Sequence, residues 1–274
     1  MKFSIITPSF NTAKYIKDCL DSVAQQDGVE VEHIVQDAGS TDDTLNIVRQ
    51  FPSVKLFSEA DKGMSDGINR GVSKANGTWW MWLNADDYLM PGSLKTVSDA
   101  IERSPNTDVI YGDYLFVDAA GQTIKPARMF PFDRGMMIHY GCYIGSTATF
   151  FKKASTFDKG HLLNVRFKQA MDQEYFTRLA LSGLRFTRAK GGPLASFRIH
   201  GENTSLRHAG ARDMDAILSR QMQLAEGLAI RRKYGFSLSK DNVPMANGFS
   251  DAALWYYYRV KKVIIKILYG CYWN

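Results

Sequence analysis

The first hundred residues alternate between short apolar runs and amphipathic segments, and this alternation limits the folds open to the chain more than any other feature. Apolar runs of strand length occur at 3–7, 31–35, 54–57 and 79–83. The segments between them carry apolar residues at intervals of three and four, which is the spacing of a helix. The first of these helices is predicted from Thr12 to Gln26, with Asn11 as its cap. Strands that alternate with helices predict parallel βαβ units, and therefore an α/β sandwich around a mostly parallel sheet.

A polar cluster follows each of these four predicted strands. The clusters lie at 7–11, 37–42, 58–62 and 84–87. In open α/β sheets, ligands bind in the crevice outside the carboxyl ends of the strands. The coincidence of polar residues with strand ends therefore predicts one ligand site at this edge of the sheet.

Asp86 and Asp87 end an apolar strand, where a carboxylate is costly to bury without a partner. Carboxylate oxygens suit Mg²⁺ or Mn²⁺, which are usually bound by one or two protein carboxylates together with substrate phosphates. An alternative interpretation is that the two carboxylates cap a helix that starts near Pro91. The pair alone does not decide between these interpretations.

Four further polar residues have an ordinary structural interpretation, and the first of them also has a functional one. Asp37 is either an Asx-turn residue or a hydrogen-bond acceptor for the ribose or base of a nucleotide. Asp172 and Glu174 begin a predicted helix, where acidic residues are favoured, and Glu174 is spaced to pair with Arg178. A single histidine such as His200 is more often a surface or core residue than a ligand.

The cysteine content and the N-terminus predict a cytoplasmic protein. The three cysteines, Cys19, Cys142 and Cys271, are an odd number without CxxC spacing, which favours a reduced compartment over disulfides or a zinc site. The N-terminus enters a strand-like segment directly, so no signal peptide is predicted. With 45% hydrophobic and 23% charged residues, the composition is that of an ordinary globular protein.

The last 24 residues carry about half of the formal net charge of +6. A helix predicted over about 251–269 is amphipathic, and its basic residues Arg259, Lys262 and Lys266 share one face. This many cations argue against a spanning helix and favour one that lies on an anionic membrane surface. The alternative is a helix that packs on the rest of the chain or on a second subunit. The other face is apolar and consists of Leu254, Tyr257, Val260, Val263, Ile264, Ile267 and Leu268.

Taken together, the polar clusters resemble those of family 2 glycosyltransferases of the GT-A fold. The bacterial enzymes that build cell-surface polysaccharides, including the colanic-acid type, are the most similar. The matching stretches follow the family's order over roughly residues 1–205. They are Ile6–Asn11, Asp37–Asp42, Ser58–Gly63, Asp66 with Asn69 and Gly71, Leu83–Asp87, Met171–Glu174 and Phe197–Ser205.

The resemblance implies a fold and a division of the chain. The expected fold is the GT-A nucleotide-diphospho-sugar transferase fold, a Rossmann-like α/β/α sandwich with a C-terminal helical extension. The transferase domain is expected at 1–208, with a nucleotide-sugar half at 1–110 and an acceptor half at 111–208. The extension is expected at 209–274, and the sequence predicts a long helical segment within it at 211–234.

The resemblance also implies a role for each matched position. Asp172 is expected to be the general base, and Asp86 and His200 are expected to hold Mn²⁺ or Mg²⁺. Asn84 occupies the first position of the family's D-x-D element, and Ser146 replaces a histidine of the family's acceptor segment. The expected contacts of a UDP-sugar or GDP-sugar are Thr7, Pro8, Ser9, Asp37, Asp61, Lys62, Asp66, Asn84 and Ala85.

The implied activity is inverting transfer of a sugar to an acceptor hydroxyl on a saccharide or a lipid-linked molecule. The enzyme would work at the inner face of the cytoplasmic membrane in polysaccharide synthesis. A catalytically inactive glycosyltransferase-like scaffold at the membrane is the alternative function. The body of the chain lacks a concentrated basic patch, which disfavours nucleic-acid binding. The sequence leaves open which sugar and nucleotide are used and whether the protein is a homo-oligomer.

Overall fold

In the computed structural model, nine strands form one mixed sheet. The structure describes residues 1–137, 142–201, 203, 225–227, 229–230, 233–234, 257, 260–265 and 267–268, and every structural statement below concerns these residues. The strands are β1 (Lys2–Ser9), β2 (Glu30–Asp37), β3 (Val54–Ser58), β4 (Trp79–Trp82), β5 (Tyr88–Leu89), β6 (Val109–Val117), β7 (Thr123–Ala127), β8 (Thr149–Lys152) and β9 (Phe186–Arg198). The helices are α1 (Ile16–Ala24), α2 (Thr44–Arg49), α3 (Met64–Ser73), α4 (Ser93–Arg103) and α5 (Met171–Leu181).

The sheet has a parallel half and a mixed half. Its strand order is β3-β2-β1-β4-β8-β6-β9-β5, with β7 paired to β6. The pairs among β3, β2, β1 and β4 are parallel, which confirms the βαβ units expected from the sequence. Strand β8 runs antiparallel to both of its neighbours, β4 and β6, so the parallel pairing ends at β4. The α/β fold is confirmed, and the four predicted strands of the first half lie side by side.

The two faces of the sheet are covered by different helices. One hydrophobic cluster contains Ile6 with residues of α3 and α5, and another contains Ile5 with residues of α1 and α4. Strand β4 serves both clusters because its side chains alternate between the faces. Its Trp82 ring stacks on Phe151 with centroids 5.4 Å apart and 4° between the planes. Buried aromatic residues of this size dominate the energetics of a core.

The predicted start of the first helix is wrong. The sequence suggests a helix from Thr12 with Asn11 as its cap, but α1 begins only at Ile16. Asn11 instead adopts a left-handed conformation with φ 51°, and its Oδ1 accepts a hydrogen bond of 2.9 Å from the Thr41 N–H. The side chain therefore ties the loop after β1 to the loop after β2. An asparagine after a strand can either cap the next helix or connect two loops, and the sequence alone does not distinguish these roles.

Part of the predicted C-terminal extension packs on the core. Ile230 and Ile265 are buried in the cluster that includes α5, and Lys261 forms an ion pair with Asp133. Most of the predicted helices at 211–234 and 251–269 lies outside the described residues, as do Leu254, Arg259, Lys266 and Cys271. Among the residues that are described, none belongs to a helix long and apolar enough to cross a membrane.

Candidate active site

Asp86 and His200 come together although 114 residues separate them in sequence. Asp86 lies in the turn after β4, and His200 lies just beyond the end of β9. The Asp86 Oδ2 is 2.9 Å from His200 Nε2, and it accepts a hydrogen bond of 3.2 Å from the Asn203 amide. The structure thus brings together the two side chains that the sequence nominates as metal ligands.

Asn84 adds an oxygen with no partner to the same turn. Its amide nitrogen donates to the Asp87 carboxylate at 3.2 Å, which fixes the orientation of the amide group. The Oδ1 on the other side is buried and has no hydrogen-bond partner among the described residues. An unsatisfied buried acceptor costs about 1–3 kcal/mol, and such a group calls for an explanation, such as a bound ion or water.

Asp87 is an anchor of the turn. The side chain is buried, and burial followed by the charge of Asp86 raises the pKa of the Asp87 carboxyl well above its usual range. The carboxyl accepts a hydrogen bond of 2.9 Å from the Arg198 backbone N–H. Asp87 therefore joins the turn to β9, and its oxygens are already engaged within the protein.

Arg198 is a residue of this site to which the sequence analysis assigns no role. Its side chain is only 2% exposed. Its guanidinium donates to the backbone carbonyls of Asp86 and Ala119 at 2.8 and 2.9 Å, and to the Asp18 carboxylate at 2.6 Å. The available signal in the sequence was an arginine two residues before His200. Arg198 holds the backbone of Asp86, and so it positions the carboxylate.

Tyr15, the residue just before α1, contacts both His200 and Arg198. Its ring lies 4.6 Å from the His200 ring, centroid to centroid, with 33° between the planes. The Arg198 guanidinium lies 5.0 Å from the centroid of the same ring. A cation over an aromatic face is attractive, and the stacked imidazole is restricted in orientation. Tyr15 also has no role assigned from the sequence, because a tyrosine ahead of a helix is an ordinary packing residue.

The donor atoms in this turn fit a divalent cation of the Mg²⁺ or Mn²⁺ kind. The Asp86 carboxylate, the His200 imidazole and the unpartnered Asn84 Oδ1 are oxygen and nitrogen donors on adjoining segments. Within the described residues, no group of three His, Cys, Asp or Glu side chains is placed to enclose a metal. Such cations commonly keep few protein ligands and complete their shell with water and substrate phosphates. The donor set therefore fits an ion that is bound together with a diphosphate.

At the end of β1 and in the turn after β4, several side chains predicted to bind a nucleotide are already buried or engaged within the protein. Thr7 is completely buried, and its hydroxyl lies 2.9 Å from His33 Nε2. The Ser9 hydroxyl is 2.9 Å from that of Thr12, while Pro8 is half-buried. The Ala85 methyl group packs in a core cluster. Any contact of a nucleotide with Thr7 or Ala85 falls to their main-chain atoms.

Asp37 organises the loop that follows β2. Its Oδ2 accepts hydrogen bonds from the N–H groups of Gly39 and Ser40, both at 2.9 Å, and from the Ser58 hydroxyl at 2.8 Å. Its Oδ1 accepts from the Ser40 hydroxyl at 2.5 Å. The Asx-turn interpretation is confirmed by these contacts. The carboxylate joins the ends of β2 and β3, and its role toward a nucleotide stays a prediction.

The loop between β3 and α3 is closed by two carboxylates. Asp61 accepts a hydrogen bond of 2.8 Å from the Gly63 N–H, and Asp66 accepts one of 3.0 Å from the Lys62 N–H. Asp66 also pairs with Arg70 at 3.0 Å. The Lys62 side chain is exposed. The structure therefore gives Asp66 a role in shaping the loop and leaves Lys62 accessible to a ligand.

Asp172, the predicted base, lies in the first turn of α5. Its side chain is half-buried, and burial raises the pKa of the carboxyl above its usual range. Its Oδ1 accepts a hydrogen bond of 2.7 Å from the Gln173 N–H. A carboxylate that burial makes more basic accepts a proton more readily than one in water.

Tyr114 of β6 is a buried tyrosine whose surroundings include both carboxylates. Burial raises the pKa of this tyrosine, and the negative charges of Asp87 and Asp172 raise it further. The ring also presses on Gly145, where an added Cβ would lie 2.5 Å from Tyr114 Cε1.

Known sequences that are similar to this chain point to one protein family. The family model described as "Glycosyl transferase family 2" matches residues 4–173. A PGL/p-HBAD biosynthesis glycosyltransferase of Mycobacterium tuberculosis is 31% identical over 205 residues, which cover 73% of this chain and 77% of the relative. The chondroitin synthase of Escherichia coli is 25% identical over 215 residues, which cover 74% of this chain and 30% of that protein.

Solved structures share the fold. TarS 1-349 of S. aureus in complex with UDP matches with a TM-score of 0.63 and 23% identity, over 86% of this chain and 73% of that one. The mannosyltransferase PcManGT of Pyrobaculum calidifontis, in complex with GDP-Man and Mn²⁺, matches with a TM-score of 0.55 and 16% identity. The second match covers 97% of this chain and 80% of the neighbour.

Proposed function

Because this chain belongs to glycosyl transferase family 2 and is a glycosyltransferase, we propose that it is a metal-dependent, inverting enzyme that uses a nucleotide-diphosphate sugar. The acceptor we propose is a hydroxyl of a growing or lipid-linked saccharide in cell-surface polysaccharide synthesis. The relative from Mycobacterium tuberculosis carries PGL/p-HBAD biosynthesis in its name, and that from Escherichia coli is a chondroitin synthase. These names support glycan assembly as the setting.

The observation that carries the proposal is the arrangement of Asp86, His200 and Asn84. Asp86 Oδ2 and His200 Nε2 lie 2.9 Å apart, and the Oδ1 of Asn84, in the same turn as Asp86, is buried without a hydrogen-bond partner among the described residues. A divalent cation held there would supply a Lewis acid that neutralises charge on the departing diphosphate. Arg198 donates to the Asp86 carbonyl and Tyr15 packs on the His200 ring, and these contacts restrict both proposed ligands.

Asp172 supplies the second half of the reaction. The attacking hydroxyl must lose its proton as it bonds to the sugar, and a positioned carboxylate accepts that proton. The raised pKa of Asp172 suits this task. One displacement with the base opposite the leaving group inverts the anomeric carbon, so an α-linked donor gives a β-linked product.

The donor we propose is a UDP-sugar or a GDP-sugar. The solved structures that share the fold contain UDP, UDP-GlcNAc or GDP-Man, and one of them contains Mn²⁺. The loops after β1, β2 and β3 would face the nucleoside, with Pro8, Ser9, Asp37 and Asp61 nearest to it. Lys62 is exposed at the same edge and would approach a phosphate.

We also propose that the protein works at the inner face of the cytoplasmic membrane. The tail, the segment predicted as a helix over 251–269, packs on the core through Ile265 and Lys261, while the described residues of its apolar face are exposed. Ile267 and Leu268, for example, are 76% and 69% exposed. An uncovered apolar stripe on a basic segment is typical of a helix that lies in a membrane interface.

A thermal-shift screen tests the donor site. The protein is heated with UDP, GDP, CMP or dTDP, each with and without Mn²⁺. A nucleotide present at 100 times its Kd stabilises the fold by about 2.7 kcal/mol, which raises the melting temperature. We expect the largest shift with UDP or GDP, only with Mn²⁺, and we expect Asp86→Ala to abolish it.

Asp99→Ala is the control for this screen, because Asp99 lies on the exposed side of α4, where it pairs with Lys95. This variant should keep the full shift. Turnover of the donor by the wild type then separates an enzyme from the inactive scaffold. Absence of a metal-dependent shift with every nucleotide would overturn the proposed donor site.

A further inference from the structure

The loop that leads into α5 is held by a residue from the C-terminal extension. The Glu226 carboxylate accepts hydrogen bonds from three consecutive backbone N–H groups, those of Lys168, Gln169 and Ala170. The distances are 2.7, 2.8 and 2.8 Å. Hydrogen bonds to an ionised acceptor are roughly twice as strong as neutral ones. One side chain thus fixes the backbone that ends two residues before Asp172.

Helix α5 has no capping side chain of its own. Its N-cap residue is Ala170, which makes no side-chain hydrogen bond to the first turn. The first N–H groups of a helix have no partners within the helix, and a negative charge near them is stabilising. Glu226 lies 56 residues further along the chain, and it accepts from the N–H of this N-cap residue and from those of the two residues before it. It therefore places a negative charge at the N-terminus of α5.

The extension also holds α5 beyond Asp172. Glu174 is completely buried, and its Oε1 accepts hydrogen bonds from Lys233 at 3.0 Å and from the Tyr234 hydroxyl at 2.7 Å. Asp172 therefore lies between the loop before α5 and Glu174 within α5, and both are held by the same part of the chain. A functional group between two fixed points has little freedom to move.

We propose that Glu226 is a positioning residue that acts through Asp172, so that the C-terminal extension is part of the catalytic machinery. This inference rests on the proposed role of Asp172 as the base. A displacement of about 1 Å in a reacting group can reduce a rate about 100-fold. Three hydrogen bonds to the loop before Asp172 limit displacements on this scale.

The surroundings of Asp172 give the inference a specific readout. Its carboxyl accepts from the Gln173 N–H, and its charge acts on Tyr114 of β6 and on Cys142. Burial raises the pKa of Asp172, so water that enters a loosened loop would lower it. The acid limb of the pH–rate profile would then move to lower pH.

The test compares Glu226→Gln, Glu226→Asp and the control Glu102→Gln. Glu102 is exposed on α4, so its replacement removes the same charge far from α5. Release of nucleoside diphosphate from a panel of UDP- and GDP-sugars is measured against pH, together with amide hydrogen exchange of residues 164–172. For Glu226→Gln we expect kcat to fall about 10-fold to 100-fold while the donor KM is unchanged. The acid limb should move to lower pH and exchange at 168–170 should accelerate, with partial rescue in Glu226→Asp.

Two outcomes overturn the inference separately from the proposed function. If Asp172→Asn abolishes turnover and Glu226→Gln matches Glu102→Gln in kcat and pH profile, Glu226 does not position the base. If Glu226→Gln lowers kcat only in proportion to the folded fraction, measured by circular dichroism, its role is structural. If Asp172→Asn retains full turnover, the proposed base is wrong, whatever the exchange experiment shows at Glu226.

Discussion

The backbone N–H of Arg198 donates a hydrogen bond of 2.9 Å to the Asp87 carboxylate, which joins the end of β9 to the turn after β4. These strands are not neighbours in the sheet, because β8 and β6 lie between them. The Arg198 guanidinium makes a second connection to the same turn, at the Asp86 carbonyl. The position of the proposed metal ligand therefore depends on a residue from a distant part of the chain.

The Arg198→Ala variant should lose both stability and metal-dependent binding. The substitution leaves the Asp86 and Ala119 carbonyls without their donor and removes a buried cation from the Asp18 ion pair. Loss of one partner from a buried pair costs about 3–5 kcal/mol, and the half-exposed Asp18 places this case near the lower end. Urea unfolding measures the change, and Arg103→Ala on the exposed side of α4 is the control. Unchanged unfolding in Arg198→Ala would contradict the assigned role.

Asp172→Asn should lose turnover while donor binding is kept. An amide of the same shape cannot accept the proton of the attacking hydroxyl, so we expect kcat to fall about 10²–10⁴-fold. The Mn²⁺-dependent thermal shift with the nucleotide should persist, since Asp172 lies in α5 and the proposed metal ligand Asp86 lies in the turn after β4. A variant that lost nucleotide binding in equal measure would show that Asp172 belongs to the donor site instead.

The same substitution should stabilise the fold at neutral pH. Because the pKa of Asp172 is raised by burial, the folded state binds its proton more tightly than the unfolded state. Stability therefore falls as pH rises from the unfolded pKa, about 3.9, through the raised folded pKa, and this cost is fully present above that value. Asp172→Asn removes the cost, so its free energy of unfolding at pH 7 should exceed that of the wild type. If urea unfolding at pH 7 gave the same free energy of unfolding for Asp172→Asn and the wild type, the raised pKa of Asp172 would be contradicted.

The parallel half of the sheet could be predicted from sequence, whereas the connections around the active site could not. Local periodicity indicates β1 to β4 because each strand is a continuous apolar run that ends in a polar cluster. The pairing of β6 with β9 joins residues far apart in sequence, and Arg198 has its role only through that pairing. Periodicity carries no information on which distant strand a residue will contact.

The candidate site shows the same division between local and distant signals. Asp86 and His200 were found because family stretches contain them, and the structure places them 2.9 Å apart. Thr7 lies in an equally recognisable stretch, yet its hydroxyl is used internally by His33. Tyr15 and Glu226 act through stacking and backbone contacts, which leave no pattern in a single sequence.

Glu174→Gln should destabilise the protein in a pH-dependent way. Burial alone would raise the pKa of Glu174, but Arg178, Tyr234 and Lys233 lower it below the usual value. The stability from this carboxylate is present above its unfolded pKa, about 4.3, and is lost as pH falls through the lowered folded pKa. At pH 7 the glutamine variant should be about 3 kcal/mol less stable, and the difference should shrink toward pH 3. Urea unfolding at both pH values checks this, with Glu102→Gln as the control.

The apolar face of the tail should bind anionic membranes. Val263 and Ile267 are 56% and 76% exposed on this face, so a double Val263→Asp/Ile267→Asp variant changes the surface without touching the buried Ile265. Burying one such side chain fully contributes about 1.5–3 kcal/mol, so the double variant should partition into vesicles at least about tenfold more weakly. Co-sedimentation with phosphatidylglycerol vesicles measures the partitioning.

Two controls distinguish membrane binding by this face from nonspecific binding to vesicles. Ile124→Asp removes an isoleucine that is 52% exposed on β7, and it should leave vesicle binding unchanged. Binding should also weaken in high salt and on neutral phosphatidylcholine vesicles, because anionic lipid attracts the basic residues of the tail. Since the tail carries the proposed contact, binding that survives both the double substitution and deletion of residues 250–274 would show that another surface meets the membrane.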